Sequence, residues 1–207
     1  MFAFRMAGRG LIAAAALVCA MTIADAQQQQ QGRIRGQIEK ADGPMLTLKT
    51  REGATIQVRI ADDARASALE KASLSDIKAD TFIGIAGVPR PDGSIEAFSI
   101  HIFQPAQRGV VPDRTGPWDA RPGSTMTNAY VEGMDTEKDG ETLKVKYKDG
   151  EKTVHVNAQT VIAAAAKGDK SELKPGVQII IFGWDKQPDG SVLAKTLYIG
   201  RGLTPAM

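Results

Sequence analysis

The sequence predicts an all-β protein made of two similar halves, and three observations predict it. Aliphatic and polar residues alternate in short runs, glycine-containing turns separate those runs, and a set of landmarks recurs in order along the chain. Alternation over five or more residues sends every second side chain to one face, which marks a strand with one buried side. The 207 residues carry a formal net charge of only +2. So even a balance argues against a nucleic-acid binder held by backbone charge, and 11 aromatic residues (6 Phe, 3 Tyr, 2 Trp) provide few stacking platforms.

Residues 1–26 have the three parts of an export signal: Arg5 and Arg9, an apolar run over residues 11–23, and the small pair Ala24 and Ala26 around Asp25. The apolar run is shorter than the roughly 20 residues of a spanning helix, so cleavage before Gln27 and a soluble periplasmic product are expected. Ala16-Leu17-Val18 ahead of Cys19 is a poor lipobox. Cys19 is the only cysteine, so the mature chain has no thiol for a disulfide, a nucleophile or a cysteine-ligated metal. Residues 27–31 are all glutamine and are expected to be a disordered spacer.

The repeat organises the remainder. Gly36, Gly53 and Gly87 match Gly133, Gly150 and Gly183. Ser75-Asp76-Ile77-Lys78 matches Ser171-Glu172-Leu173-Lys174, and Asp92-Gly93-Ser94 matches Asp189-Gly190-Ser191, all at offsets of 96 or 97. In the first half the strand stripes are Leu46/Leu48, Ile56/Val58/Ile60 and Phe98/Ile100/Ile102. In the second they are Leu143/Val145/Tyr147, Val154/Val156 and Leu193/Leu197/Ile199. Pro91-Asp92-Gly93 is a turn with a mechanism, because proline presets φ and glycine accepts a positive one. Residues 61–71 and 158–167 are alanine-rich, and one short helix per repeat is expected there; Asp62 and Asp63 would complement its dipole. Short strands that stayed flat would leave open edges, so closure is expected. The reading is two tandem OB-like small β-barrels, residues 32–103 and 128–202, joined by a Pro-rich bridge over residues 104–127, with a tail at 203–207.

The pattern Gly36-x-Ile38, Leu46-x-Leu48, Asp76-Ile77-Lys78, Gly87, Asp92-Gly93-Ser94, Ala97-x-x-Ile100 resembles a domain of unknown function common in exported bacterial proteins. The resemblance implies a small β-barrel, usually in tandem, with no established activity. In the bridge, Arg108-Gly109, Pro117-Trp118-Asp119 and residues 124–129 resemble an alphaproteobacterial subfamily often labelled as a metal-transport component. Where that subfamily often has a Gly-Glu-Gly-His stretch, this chain has Val110-Val111-Pro112-Asp113-Arg114, without histidine or glutamate.

The bridge holds Pro105, Pro112, Pro117 and Pro122 and one large apolar side chain, Trp118, which is costly to leave in water. Two readings of it stand. Trp118 pins the bridge to the barrels, or it is the platform of a ligand cleft with Arg114, Asp119, Arg121 and Asn128 as polar contacts. His101 and His155 are read as surface or rim residues on non-equivalent strands, His155 matching Gln57. Met126 and Met134 are read as packing residues. The chain has no G-x-S-x-G elbow, no phosphate loop and no isolated carboxylate pair. The functional expectation is therefore a periplasmic, non-enzymatic binding or interaction module, without cofactor or metal, for a protein, glycan or small ligand. A metal-handling accessory protein is the alternative. Nucleic acid and stable membrane insertion are not expected.

Overall fold

The alternating runs fold as twelve strands in a computed structural model that describes residues 32–137 and 140–205. The expected signal and glutamine spacer lie outside the described residues. The strands are β1 (Ile34–Asp42), β2 (Met45–Thr50), β3 (Thr55–Lys71), β4 (Phe82–Pro89), β5 (Ile95–Ile102) and β6 (Thr115–Pro117). They continue with β7 (Thr125–Glu137), β8 (Gly140–Tyr147), β9 (Gly150–Val156), β10 (Val161–Lys167), β11 (Gln178–Lys186) and β12 (Val192–Arg201).

Five of them close a ring in the order β1-β2-β3-β12-β11, with β11 returning to β1. All neighbours are antiparallel except β3 and β12, which run parallel from Val58 beside Val192 to Glu70 beside Arg201. The ring encloses Ile38, Leu46, Leu48, Val58, Ile179, Ile181, Leu197 and Ile199, each at most 1% exposed. At about 25 cal/mol per Å² of apolar surface, side chains buried this fully are the main force holding the ring. A second set, β7-β8-β9-β5-β4, repeats the order around Ile83, Ile85, Ile100, Ala129, Leu143, Val145 and Val154. A parallel contact of Ile95 with Val154 and Glu96 with His155 closes it.

Each ring thus takes three strands from one half of the chain and the last hairpin of the other. The expectation that residues 32–103 and 128–202 each close their own barrel does not hold. The reason lies in β3, which runs 17 residues and carries the chain out of the first ring and away from it. β4 and β5 then complete the second ring, and β11 and β12 return to complete the first.

The two expected helices are also replaced by strand. Residues 61–71 continue β3, and 161–167 form β10. Alanine is the best helix former, but propensity amounts to a few tenths of a kcal/mol per residue, and here pairing on both edges overrides it. β10 lies antiparallel to β3, with Leu69 opposite Ala165 at the centre, and parallel to β5. The end of β3 lies between β10 and β12. Its backbone groups have ladder partners on either side, which a helix would have to give up. The only helical turns among the described residues are three 3-10 turns, Leu74–Asp76, Pro105–Gln107 and Lys170–Glu172.

Bulges change the parity of two predicted stripes. Ala97 sits opposite Gly87 and Ser99 opposite Ala86, so Phe98 is skipped and leaves the core face. The aliphatic stripe of β5 is therefore Ile95, Ala97 and Ile100. In β12 the same shift at Lys195 makes it Val192, Ala194, Leu197 and Ile199. Gly87 is required at the bulge, because a Cβ there would run into the Ile95 side chain. Beyond β12, Leu203 packs against the molecule and Pro205 is buried, so this stretch is no free tail.

Split at residue 103, the two fragments of the mature chain are expected to show no cooperative thermal transition alone and to regain one on mixing. Circular dichroism melts of each fragment and of the equimolar mixture check this. Cooperative melting of either fragment by itself would contradict the exchanged pairing.

Candidate functional site

Around the crossing of β3 and β10 a third apolar cluster forms on the outer faces of the strands: Leu69, Ala163, Ile180 and Tyr198. Trp118, Met126, Ala165, Phe182 and Leu203 pack over it. The bridge reaches this cluster because β6 hydrogen-bonds to the start of β7, Thr115 opposite Thr127, and so delivers Trp118 at a fixed point.

Three arginines hold the next residues. The Arg33 guanidinium carbon lies 3.8 Å from the centre of the Trp118 ring, a cation–π contact. Arg35 donates from Nη2 to Asp119 Oδ1 at 2.7 Å, and Arg33 Nη1 stands 3.6 Å from Asp119 Oδ2. Arg51 donates from Nη1 to the Ala120 carbonyl at 3.0 Å. Burial pushes the Asp119 carboxyl up, but the Arg35 hydrogen bond and the two arginine charges outweigh it, and its pKa falls below the ordinary range. Asp119 is therefore ionised and committed to the arginines.

The five expected ligand residues are not gathered into one cleft. Trp118 and Asp119 are together. Arg121 instead lies over the Phe98 ring, 4.0 Å from its centre. Asn128 donates from Nδ2 to the Pro112 carbonyl at 3.1 Å and from its backbone to the Arg114 carbonyl at 2.8 Å. The Trp118 ring carries Arg33 on its face, and Asp119 has two arginine partners, so this geometry is that of a clasp. Reading the sequence for ligand contacts overlooked Arg33, Arg35 and Arg51. Arg33 immediately precedes β1 and Arg35 is its second residue, so the available signal was two arginines spaced two apart at the entry to a strand.

His101 is not a surface residue: it is 0% exposed on β5, against Phe103 and Tyr198 at ring-centre distances of 4.5 and 5.5 Å. Neither ring nitrogen has a hydrogen-bond partner among the described residues, and burial pushes the imidazole pKa down to about 3. His155 is half-buried on β9 beside the Asp92-Gly93-Ser94 turn, and by register its counterpart is Arg59, not Gln57. Among the described residues no three of His, Cys, Asp or Glu converge to hold a metal ion. Met126 is in the outer cluster, and Met134 is 44% exposed.

Open surface lies elsewhere. One groove, of about 740 Å³, lies at the second ring. Its floor is apolar, with Leu74, Val156, Val161 and Ile162, while Asn157 and Thr160 line it from the β9–β10 turn. Glu141, opposite Val156 in register, and Lys71, opposite Ala163, also line it. A second groove, about 670 Å³, is lined by Asp80, Asp113, Tyr130, Glu132 and Tyr147. No helix among the described residues is long and apolar enough to cross a membrane. Comparison with protein-family models, with curated proteins and with solved structures gave no match.

Two outcomes follow from the clasp and the buried histidine. Trp118→Ala is expected to cost about 2–3 kcal/mol of stability, read as a lowered urea midpoint, because a large half-buried ring leaves a void. The folded state binds a proton to His101 only near pH 3, whereas the unfolded chain binds one near 6.5. Stability is therefore lost as pH falls through 6.5 toward 3, by up to about 1.4 kcal/mol per pH unit from this group. Urea midpoints against pH should show that slope in the wild type, and a shallower one in His101→Phe.

Proposed function

We propose that the protein is an exported, non-enzymatic recognition module, a duplicated pair of OB-like barrels that binds on its outer surface. The strand order supports the OB-like reading: in each ring the third strand of one half lies parallel to the fifth strand of the other, and the fourth returns to the first. Residues 1–26, with their basic start, apolar run and small-residue cut, support export. The recurring Asp-Gly-Ser turns support duplication. In both, the aspartate Oδ1 accepts from the serine backbone and hydroxyl, at 2.9 and 2.6 Å for Asp92 and at 2.9 and 2.7 Å for Asp189.

The observation that carries the binding reading is the 740 Å³ groove, a concave surface with an apolar floor and a few polar groups at its rim, the form that ligand sites take. The barrel interiors are packed with aliphatic side chains and the bridge is clasped, so a ligand finds room in the surface grooves, and this one has the apolar lining. Amide chemical shifts of isotope-labelled protein, starting at Gln27, test this during titration with short peptides and with glycan fragments. Shifts grouped at Leu74, Asn157 and Val161, with the added compound recovered unchanged, are expected. Shifts centred on Arg114, Trp118 and Asp119, or chemical conversion of the compound, would overturn the reading.

A further inference from the structure

The two rings carry corresponding positions at their ends, 96 residues apart, and these are furnished differently. In the first ring, β3 bulges between Ile60 and Arg65, where its register with β12 jumps. Lys170, at the start of the 3-10 turn Lys170–Glu172, reaches over that bulge and donates from Nζ to the Ala61 carbonyl at 3.0 Å and the Asp62 carbonyl at 2.6 Å. The counterparts of Ala61 and Asp62 are Asn157 and Ala158, in the turn between β9 and β10, and the counterpart of Lys170 is Leu74, at the start of the turn Leu74–Asp76. Leucine has no donor. All three counterparts line the 740 Å³ groove.

From this internal template we infer that the groove receives the side chain of a lysine presented by a partner polypeptide. The inference rests on the reading of the groove as the recognition surface, and names its ligand. The ammonium supplies to the Asn157 and Ala158 carbonyls the hydrogen bonds that Lys170 supplies to Ala61 and Asp62. The Asn157 carbonyl already accepts from the Thr160 backbone at 3.0 Å, which leaves its second lone pair. The four-carbon stem lies along Leu74 and Val161, the latter 43% exposed, as lysine stems lie on apolar surface while the head stays polar.

The test titrates the full mature protein with three extended hexapeptides that differ at one central residue: lysine, acetyl-lysine or norleucine. Amide shifts report where each binds. The lysine peptide is expected to shift Leu74, Asn157 and Val161 and to bind at least tenfold more tightly than the other two. Leu74→Lys places an ammonium where Lys170 has its own, and should weaken the lysine peptide at least tenfold without lowering the melting temperature. Leu74→Met, similar in bulk and uncharged, should bind as the wild type does. Equal binding of all three peptides in the groove, or unchanged binding by Leu74→Lys, would overturn the lysine inference and leave the groove standing as a recognition surface. Absence of shifts in the groove with every peptide would overturn both.

Discussion

The parallel pairing of β3 with β12 is the contact on which the architecture turns. It joins a strand from the first third of the chain to its last strand, and without it the first ring has no closure. Parallel neighbours need a long crossover between them. Here the crossover is the whole second ring, together with the bridge. The exchange of hairpins, the antiparallel crossing of β3 over β10 and the outer cluster at that crossing all follow from carrying β3 on past the ring it began in.

That cluster gives the bridge its role. A segment with four prolines has few backbone donors to offer a sheet. Beyond the three-residue pairing of β6 with β7, it is held by side chains, with Trp118 on the cluster and Asp119 between Arg33 and Arg35. The pieces come from three distant stretches, β1, the turn after β2 and the bridge, so the clasp ties the entry of the chain to its middle. Trp184 adds a second tie, donating from Nε1 to the Gly32 carbonyl at 2.8 Å.

Much of the strand pattern was legible because alternation is a local property. Leu46/Leu48, Val58/Ile60 and Leu143/Val145 read correctly, since each stripe faces a single core. The alanine-rich segments did not, because alanine's helix preference is a local signal that strand neighbours distant in sequence override here. Phe98 was misassigned for a related reason: a one-residue bulge inverts parity and leaves no mark in the pattern of types. His101 looked exposed by alternation, and it does point away from the ring core. What alternation cannot reveal is that the outer face is itself covered, by Phe103 and Tyr198. The exchange of hairpins was not legible, since similar landmarks in the two halves are compatible with pairing within a half or across halves. The groove escaped notice because it is defined by a difference between corresponding positions, Leu74 against Lys170, which means something only once the repeat has been placed in space.

The threading of the first ring has a consequence for the order of assembly. Its closing strand is Val192–Arg201, so the edge of β1 that takes β11 and the edge of β3 that takes β12 wait for the final hairpin. Closing so long a loop is slow, because its entropy is lost before any contact rewards it. The second ring is complete in sequence at Val156 and can form first, offering β10 and the end of β3 as a template onto which the final hairpin zips. A chain organised in this way stays pliant for as long as its last forty residues are missing, and then locks from the end inward.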